Sequence, residues 1–242
     1  MHYFWDTEET IPEGLGFSHF DLTHLIWLGI TAAVLAAGFL WGRKMTDTQA
    51  RRFRKSLALL ILANELFKHI SLLIGGNFSF GYLPLHLCNI NIFLILIYAW
   101  KPSKMLGNFL YCICIPGALA AMLFPSWSSL PVWNAQHLHG FTFHIMLMLY
   151  PVVLLGGGRI RPEARQLPKC VLLLAGLAVI AFAANSFMDT NFMFLSHGKD
   201  TPLQWFEDAW GNHLYGLPIL LAAVLAVMYL PWELCRILRK NK

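Results

Sequence analysis

Charge is what this sequence has least of. Only 13% of its 242 residues are Asp, Glu, Lys or Arg, against about a quarter in an ordinary soluble domain. So few charges cannot cover a globular surface in water. The apolar fraction is 57% and mean hydropathy is +0.55, which excludes a soluble globular enzyme. Zinc-type cysteine pairs are also missing. Cys88, Cys112, Cys114, Cys170 and Cys235 lie in or beside apolar runs, so neither a structural zinc nor a disulfide framework is expected. Residues 1–16 are polar and acidic, and a basic start leading into an apolar core is absent. No cleavable signal peptide is expected, and the first apolar segment then serves for insertion. No soluble domain interrupts the chain. The longest polar connection runs over residues 188–212.

What is present is a series of apolar runs. A helix crosses the hydrocarbon core with about 20 apolar residues. Seven stretches fit, at 21–41, 57–76, 84–100, 106–124, 137–156, 168–187 and 213–232. The expected fold is all-α: residues 1–242 form a single domain of seven transmembrane helices. The third stretch opens on Pro84, which suits a first helical turn.

The net charge of +5 does not describe a nucleic-acid face, and no nucleic-acid partner is expected. Its basic residues gather in short loops. Arg43, Lys44, Arg51, Arg52, Arg54 and Lys55 follow span one, Lys101 and Lys104 follow span three, and Arg159, Arg161, Arg165 and Lys169 follow span five. Arg236, Arg239, Lys240 and Lys242 end the chain. Basic loops stay on the cytoplasmic side. The N-terminus is therefore expected outside and the C-terminus inside, in an integral protein of a bacterial cytoplasmic membrane.

That topology gives each polar residue a depth. Asn64, Glu65, Lys68 and His69 fall in the middle and outer half of span two, and His86, Cys88, Asn89 and Asn91 in the outer half of span three. All ten histidines, from His2 to His213, fall on the outer side or in the outer half. Intramembrane ionisable groups are costly unless paired or hydrated. Glu65 and Lys68 are three apart and share a helix face. They read either as a structural ion pair or as a pair lining a cavity, where Lys68 meets a lipid phosphate. Cys88 and His144 sit at similar depths, so a thiol and a base from two helices can meet. His137 shares a face with His144, while His139 points elsewhere. Asn185 and Asn191 flank the outer end of span six. They serve either as oxyanion donors or as caps and turn formers. Trp127, Trp133, Trp205 and Trp210 read as an interfacial belt without site information. Span four offers only Cys112 and Cys114 and is expected at the periphery.

The run Leu83-Pro84-Leu85-His86-Leu87-Cys88-Asn89, with Glu65 and Lys68 upstream, resembles the YwaF-like family of integral membrane proteins. That family includes the vertebrate transmembrane protein 164. His144 seven residues before Pro151, and Asn191-Phe192-Met193-Phe194-Leu195 after span six, agree with it. The resemblance implies a seven-span protein linked to acyl transfer between phospholipids, with Cys88 matching the acyl carrier and His144 the histidine. The expected function is a membrane-embedded lipid acyltransferase or hydrolase acting on membrane phospholipid. Cys88 and His144 are catalytic, and His86, Glu65, Lys68, Asn64, His137, Asn185 and Asn191 bind or orient the substrate. No cofactor or metal is expected, and the sequence sets no oligomeric state. Two alternatives stand beside it: a transporter or receptor binding a small ligand in the same cavity, and a histidine-rich metal or haem site with ligands from different spans.

Overall fold

The structure is a computed structural model and describes residues 3–199 and 201–240. His2, Asp200, Lys242 and the side chains of Cys235, Arg236, Arg239 and Lys240 lie outside the described residues. Among the described residues are eight α-helices and no strand: α1 Leu22–Lys44, α2 Asp47–Gly75, α3 Leu87–Trp100, α4 Lys104–Leu123, α5 Ala135–Gly156, α6 Leu167–Met188, α7 Gln204–Trp210 and α8 Gly216–Lys240. Six of them are long and apolar enough to cross a membrane; α3 is the shorter apolar helix.

Local chemistry explains where the helices depart from the apolar runs. The second run was expected to begin at 57, yet α2 begins at Asp47. Thr46 and Gln49 form a reciprocal capping box there, the Gln49 amide donating to Thr46 Oγ1 at 3.3 Å and the Thr46 amide to Gln49 Oε1 at 2.8 Å. The basic turns of α2 thus extend the helix beyond its apolar part. The third run was expected to start at Pro84, but α3 starts at Leu87 behind an extended His86. Leu83 is extended too, at ψ 149°, because a proline ring disfavours helical geometry in the residue before it. With 14 residues α3 rises only about 21 Å.

Two prolines shape the centre. A π-turn, Leu110–Cys114, sits within α4 just before Pro116. The wider turn relieves the collision of the proline ring with the carbonyl four residues back. In α5, Pro151 offers no amide to the Leu147 carbonyl, and the Cys114 thiol donates to it at 3.6 Å.

Helix α5 is the centre of the fold and packs against α1, α2, α3 and α4. Its contact with α1 runs backbone to backbone at Gly42 and Gly156, while Gly38 makes room for the Leu149 side chain. A Cβ on Gly42 would lie 2.1 Å from the Val153 carbonyl oxygen, and one on Gly156 would lie 2.3 Å from that of Phe39. Helix α4 was expected at the periphery and is instead deeply buried. Phe109, Leu110, Cys112 and Cys114 have no exposed surface. The outer positions belong to α1, α6 and α8, where Leu22, Phe187, Leu172 and Val227 are exposed. A shortage of polar groups suits the lipid face and the protein core equally, so composition could not tell them apart.

The connections gather at two ends. At one, Arg159 beyond α5 donates to Asp47 Oδ1 and to the Met45 carbonyl, both at 2.9 Å, and Lys104 pairs with Glu163 at 3.2 Å. Asn108 Oδ1 there accepts from the Glu163 amide at 2.7 Å and from the Tyr229 hydroxyl of α8 at 2.8 Å. At the other end, the Ala135 amide donates to the Phe4 carbonyl at 2.9 Å and Asn77 Nδ2 to that of Trp5 at 3.2 Å. The Met193 amide reaches His86 Nδ1 at 3.4 Å at this same end.

Candidate functional site

The polar residues of α2 and α5 meet across a buried seam. Glu65 lies one helical turn before Lys68, and both are buried. Glu65 Oε1 meets Lys68 Nζ at 2.5 Å, and its Oε2 meets His139 Nε2 of α5 at 3.3 Å. His69 Nδ1 stands 3.6 Å from Oε1 and donates to the Glu65 carbonyl at 3.0 Å. Charge contacts alone serve the two carboxylate oxygens, since neither makes a well-angled hydrogen bond. Lys68 Nζ also donates to the Tyr82 carbonyl at 3.3 Å. Gln136 ties the two helices by donating to Ser71 Oγ at 2.6 Å, and Asn64 does so through Thr142 Oγ1 at 3.0 Å.

Toward the N-terminal end of α5 this seam opens into a cavity of about 280 Å³. Lys68, His86, Asn89, Trp127, His139 and His144 contribute to its wall, and Thr7 and Glu8 of the N-terminal segment cover it. Asn134 holds that segment in place, donating to the carbonyls of Tyr3 at 2.7 Å and Asp6 at 2.9 Å. Glu8 keeps an exposed edge at the cavity mouth, but the protein packed around it desolvates its carboxyl and pushes it up to about 7, with the neighbouring Glu9 charge acting the same way.

Hydrogen-bond partners set the histidine tautomers. A carbonyl only accepts, so His144 Nδ1 donates to the Gly140 carbonyl at 2.6 Å. Its Nε2 then carries a lone pair with no protein partner. His139 Nε2 faces Glu65 Oε2 at 3.3 Å without hydrogen-bond geometry; a lone pair there would repel the carboxylate, which favours the proton on Nε2 and the lone pair on Nδ1. His86 is the reverse case. Its Nδ1 accepts from the Met193 amide, which leaves Nε2–H as a donor. The cavity wall therefore holds two acceptor imidazoles together with donors from Lys68 and His86. Its chemistry suits an oxygen-bearing group that must gain or lose a proton.

The expected site residues divide into three sets. Lys68, His86 and His144 line the cavity, with Glu65 directly behind it. Cys88 does not line it. It is half-buried in the first turn of α3, between His86 and Asn89, which do, and it makes no hydrogen bond to His144. Asn64, bonded to Thr142, and His137, Asn185 and Asn191 are engaged elsewhere. His137 accepts from Trp27 Nε1 at 3.1 Å and donates to the Leu130 carbonyl at 3.1 Å. Asn185 Nδ2 donates to the Phe192 carbonyl at 3.1 Å, and its Oδ1 takes the Phe192 amide at 2.7 Å and the Thr190 hydroxyl at 3.0 Å. Asn191 caps the turn at Ser196 and His197 through its Oδ1.

Two site residues escaped the sequence. His139 was read as pointing elsewhere, whereas it is the link between α5 and Glu65. His137 does share a helix face with His144. Seven residues also separate them by about 10 Å along the axis, and at that height α1 and the loop before α5 cover the face. Trp127 was read as part of the interfacial belt. It is buried, and its ring stacks on His144 with centroids 5.1 Å apart and planes 12° apart. Gly140 makes the space, since a Cβ there would lie 2.6 Å from the indole. A tryptophan followed by a glycine one helix later was the available signal, and it is a weak one. Trp133, Trp205 and Trp210 are exposed as expected. Among the described residues no three His, Cys, Asp or Glu side chains are grouped to hold a metal ion.

A family model described as the TMEM164 family matches residues 15–229. Comparison with the curated proteins and with the solved structures returns no match.

Proposed function

The chain belongs to the TMEM164 family of membrane proteins, and from that premise we propose that it is an enzyme of lipid acyl esters, a transferase or hydrolase working in the α2–α3–α5 cavity. The observation that carries this reading is His144: a buried imidazole whose Nε2 is unpartnered, in a cavity that also holds the Lys68 ammonium. A base and a cation enclosed together suit ester chemistry, where a proton moves while negative charge develops on a carbonyl oxygen.

In this reading Cys88 is the acyl carrier. Its sulfur attacks the ester carbonyl, the S–C bond forms and the C–O bond breaks. The thiol proton passes to His144 Nε2 and on to the departing alcohol oxygen. A hydroxyl of the acceptor lipid, or water, then attacks the thioester, the C–S bond breaks and the thiol regains a proton. Cys88 must turn from its place beside the cavity toward His144, and the first turn of α3 is the segment that moves. Lys68 and His86 donate to the developing oxyanion. Labelled phospholipid in nanodiscs tests this. Cys88→Ala and His144→Ala are each expected to lower acyl release by about 10²-fold or more; unchanged release from Cys88→Ala removes the thiol carrier.

A second reading follows from His144 lining the cavity while Cys88 does not. Here His144 deprotonates water or a hydroxyl that attacks the ester directly. Activity lost in His144→Ala and kept in Cys88→Ala, with no acyl adduct by intact mass, selects it.

The proposed topology is seven crossings of a bacterial cytoplasmic membrane, with the N-terminus and cavity outside. Two facts support it: the connections after α1, α3 and α5 share one end and carry the basic residues, and those after α2, α4 and α6 share the other with the N-terminal segment.

A further inference from the structure

The cavity has two acceptor imidazoles, and their backing differs. His144 is held by a neutral carbonyl, that of Gly140, at 2.6 Å. His139 Nε2 instead faces a carboxylate oxygen, Glu65 Oε2, at 3.3 Å, in a charge contact without hydrogen-bond geometry. Lys68 shares that carboxylate through the other oxygen, Oε1, so Oε2 remains turned toward His139. A carboxylate beside an imidazole stabilises the imidazolium that forms when it takes a proton. A carbonyl fixes the tautomer and does much less for the cation. The two bases are therefore matched to acids of different strength. A thiol gives up its proton near pH 8.5, and a singly backed imidazole suffices for it. An alcohol or water is a far weaker acid and calls for the carboxylate-backed base.

We propose that the Glu65–His139 dyad serves the second half-reaction, with His139 Nδ1 taking the proton of the acceptor hydroxyl or water that resolves the acyl-thioester, while His144 serves the first. This rests on the Cys88 carrier proposed above. The oxygen attacks the thioester carbonyl, the C–O bond forms and the C–S bond breaks. The proton taken by His139 ends on the departing sulfur, which restores the Cys88 thiol. His139 touches the reacting hydroxyl and is the catalytic residue. Glu65 acts through it and is a positioning residue. Position agrees with the two roles. His139 and His144 are five residues apart on α5, about 7.5 Å along the axis and roughly 140° around it, so both can line one cavity while addressing different atoms.

The test is intact-mass analysis of the full-length protein in nanodiscs turning over a labelled phospholipid. His139→Ala is expected to lower acyl release by about 10²-fold while an acyl adduct on Cys88 accumulates. Added imidazole restores part of the release, because the truncated site has room for it. Glu65→Gln is expected to slow release with KM unchanged, and Glu65→Asp to recover part of the rate. His144→Ala is expected to leave Cys88 unacylated. Release at the wild-type rate in His139→Ala, or joint loss of adduct and release without imidazole rescue, overturns the assignment. Should His139→Ala not remain monodisperse, His139→Gln replaces it with the same expected adduct. Failure of the carrier is separately visible, as turnover that survives Cys88→Ala.

Discussion

Glu65 shows how one buried residue combines stability with chemistry. Its carboxylate is shared between Lys68 on its own helix and His139 on the next. Removing one member of a buried pair leaves an uncompensated charge, which costs about 3–5 kcal/mol. Glu65→Gln should therefore lower the melting temperature in detergent more than the double change Glu65→Gln with Lys68→Met. Equal melting of the single and double variants would show that the pair is solvated. Glu8 gives a pH signature at the cavity mouth. Its carboxyl is raised from the ordinary 4.5 to about 7 in the folded chain, so folding favours the protonated form. The docked N-terminal segment is most stable below about pH 4.5, loses stability as pH rises, and reaches its weakest state above 7. Hydrogen exchange around residues 7–9 should increase between pH 5 and 8, and Glu8→Gln should flatten that rise.

At the scale of elements, α5 positions the site because α1 lies against it so closely. That approach depends on glycines where the backbones touch. Gly42→Ala places a methyl against the Val153 carbonyl and should destabilise the α1–α5 pair. Gly29→Ala, also on α1, meets no atom within 4 Å and should be neutral or gain up to about 1 kcal/mol from helix propensity. Thermal melting of the two variants side by side checks this, and similar losses in both would count against a close helix contact. The short α3 has the opposite character. Its first turn follows a tight turn at Pro84 and Leu85 between extended Leu83 and His86, so the turn carrying Cys88 lacks the continuous helical backbone that leads into the site residues of α5.

At the scale of the molecule, the seven-crossing proposal sets which end meets which compartment. Trp133→Cys stands in the connection before α5 and Lys101→Cys in that before α4, both at exposed positions. An impermeant thiol reagent added to intact cells should label the first and reach the second only after permeabilisation, with the parent protein as control. Labelling of Lys101→Cys in intact cells would reverse or break the topology.

Composition and the length of the apolar runs were enough to determine the membrane and the all-α class, because runs of about 20 apolar residues cross lipid as helices and unpaired charge is driven to their ends. The Glu65–Lys68 pair was legible for a local reason: a three-residue spacing puts two side chains on one helix face whatever surrounds it. Only the tertiary structure decided what each face meets. It buried α4, set Trp127 on His144, and gave His139 to Glu65 while closing His137 under α1. These outcomes depend on which helices lie side by side at a given depth. In a bilayer a leucine serves against lipid and against another helix alike, so the apolar pattern contains no signal for that choice.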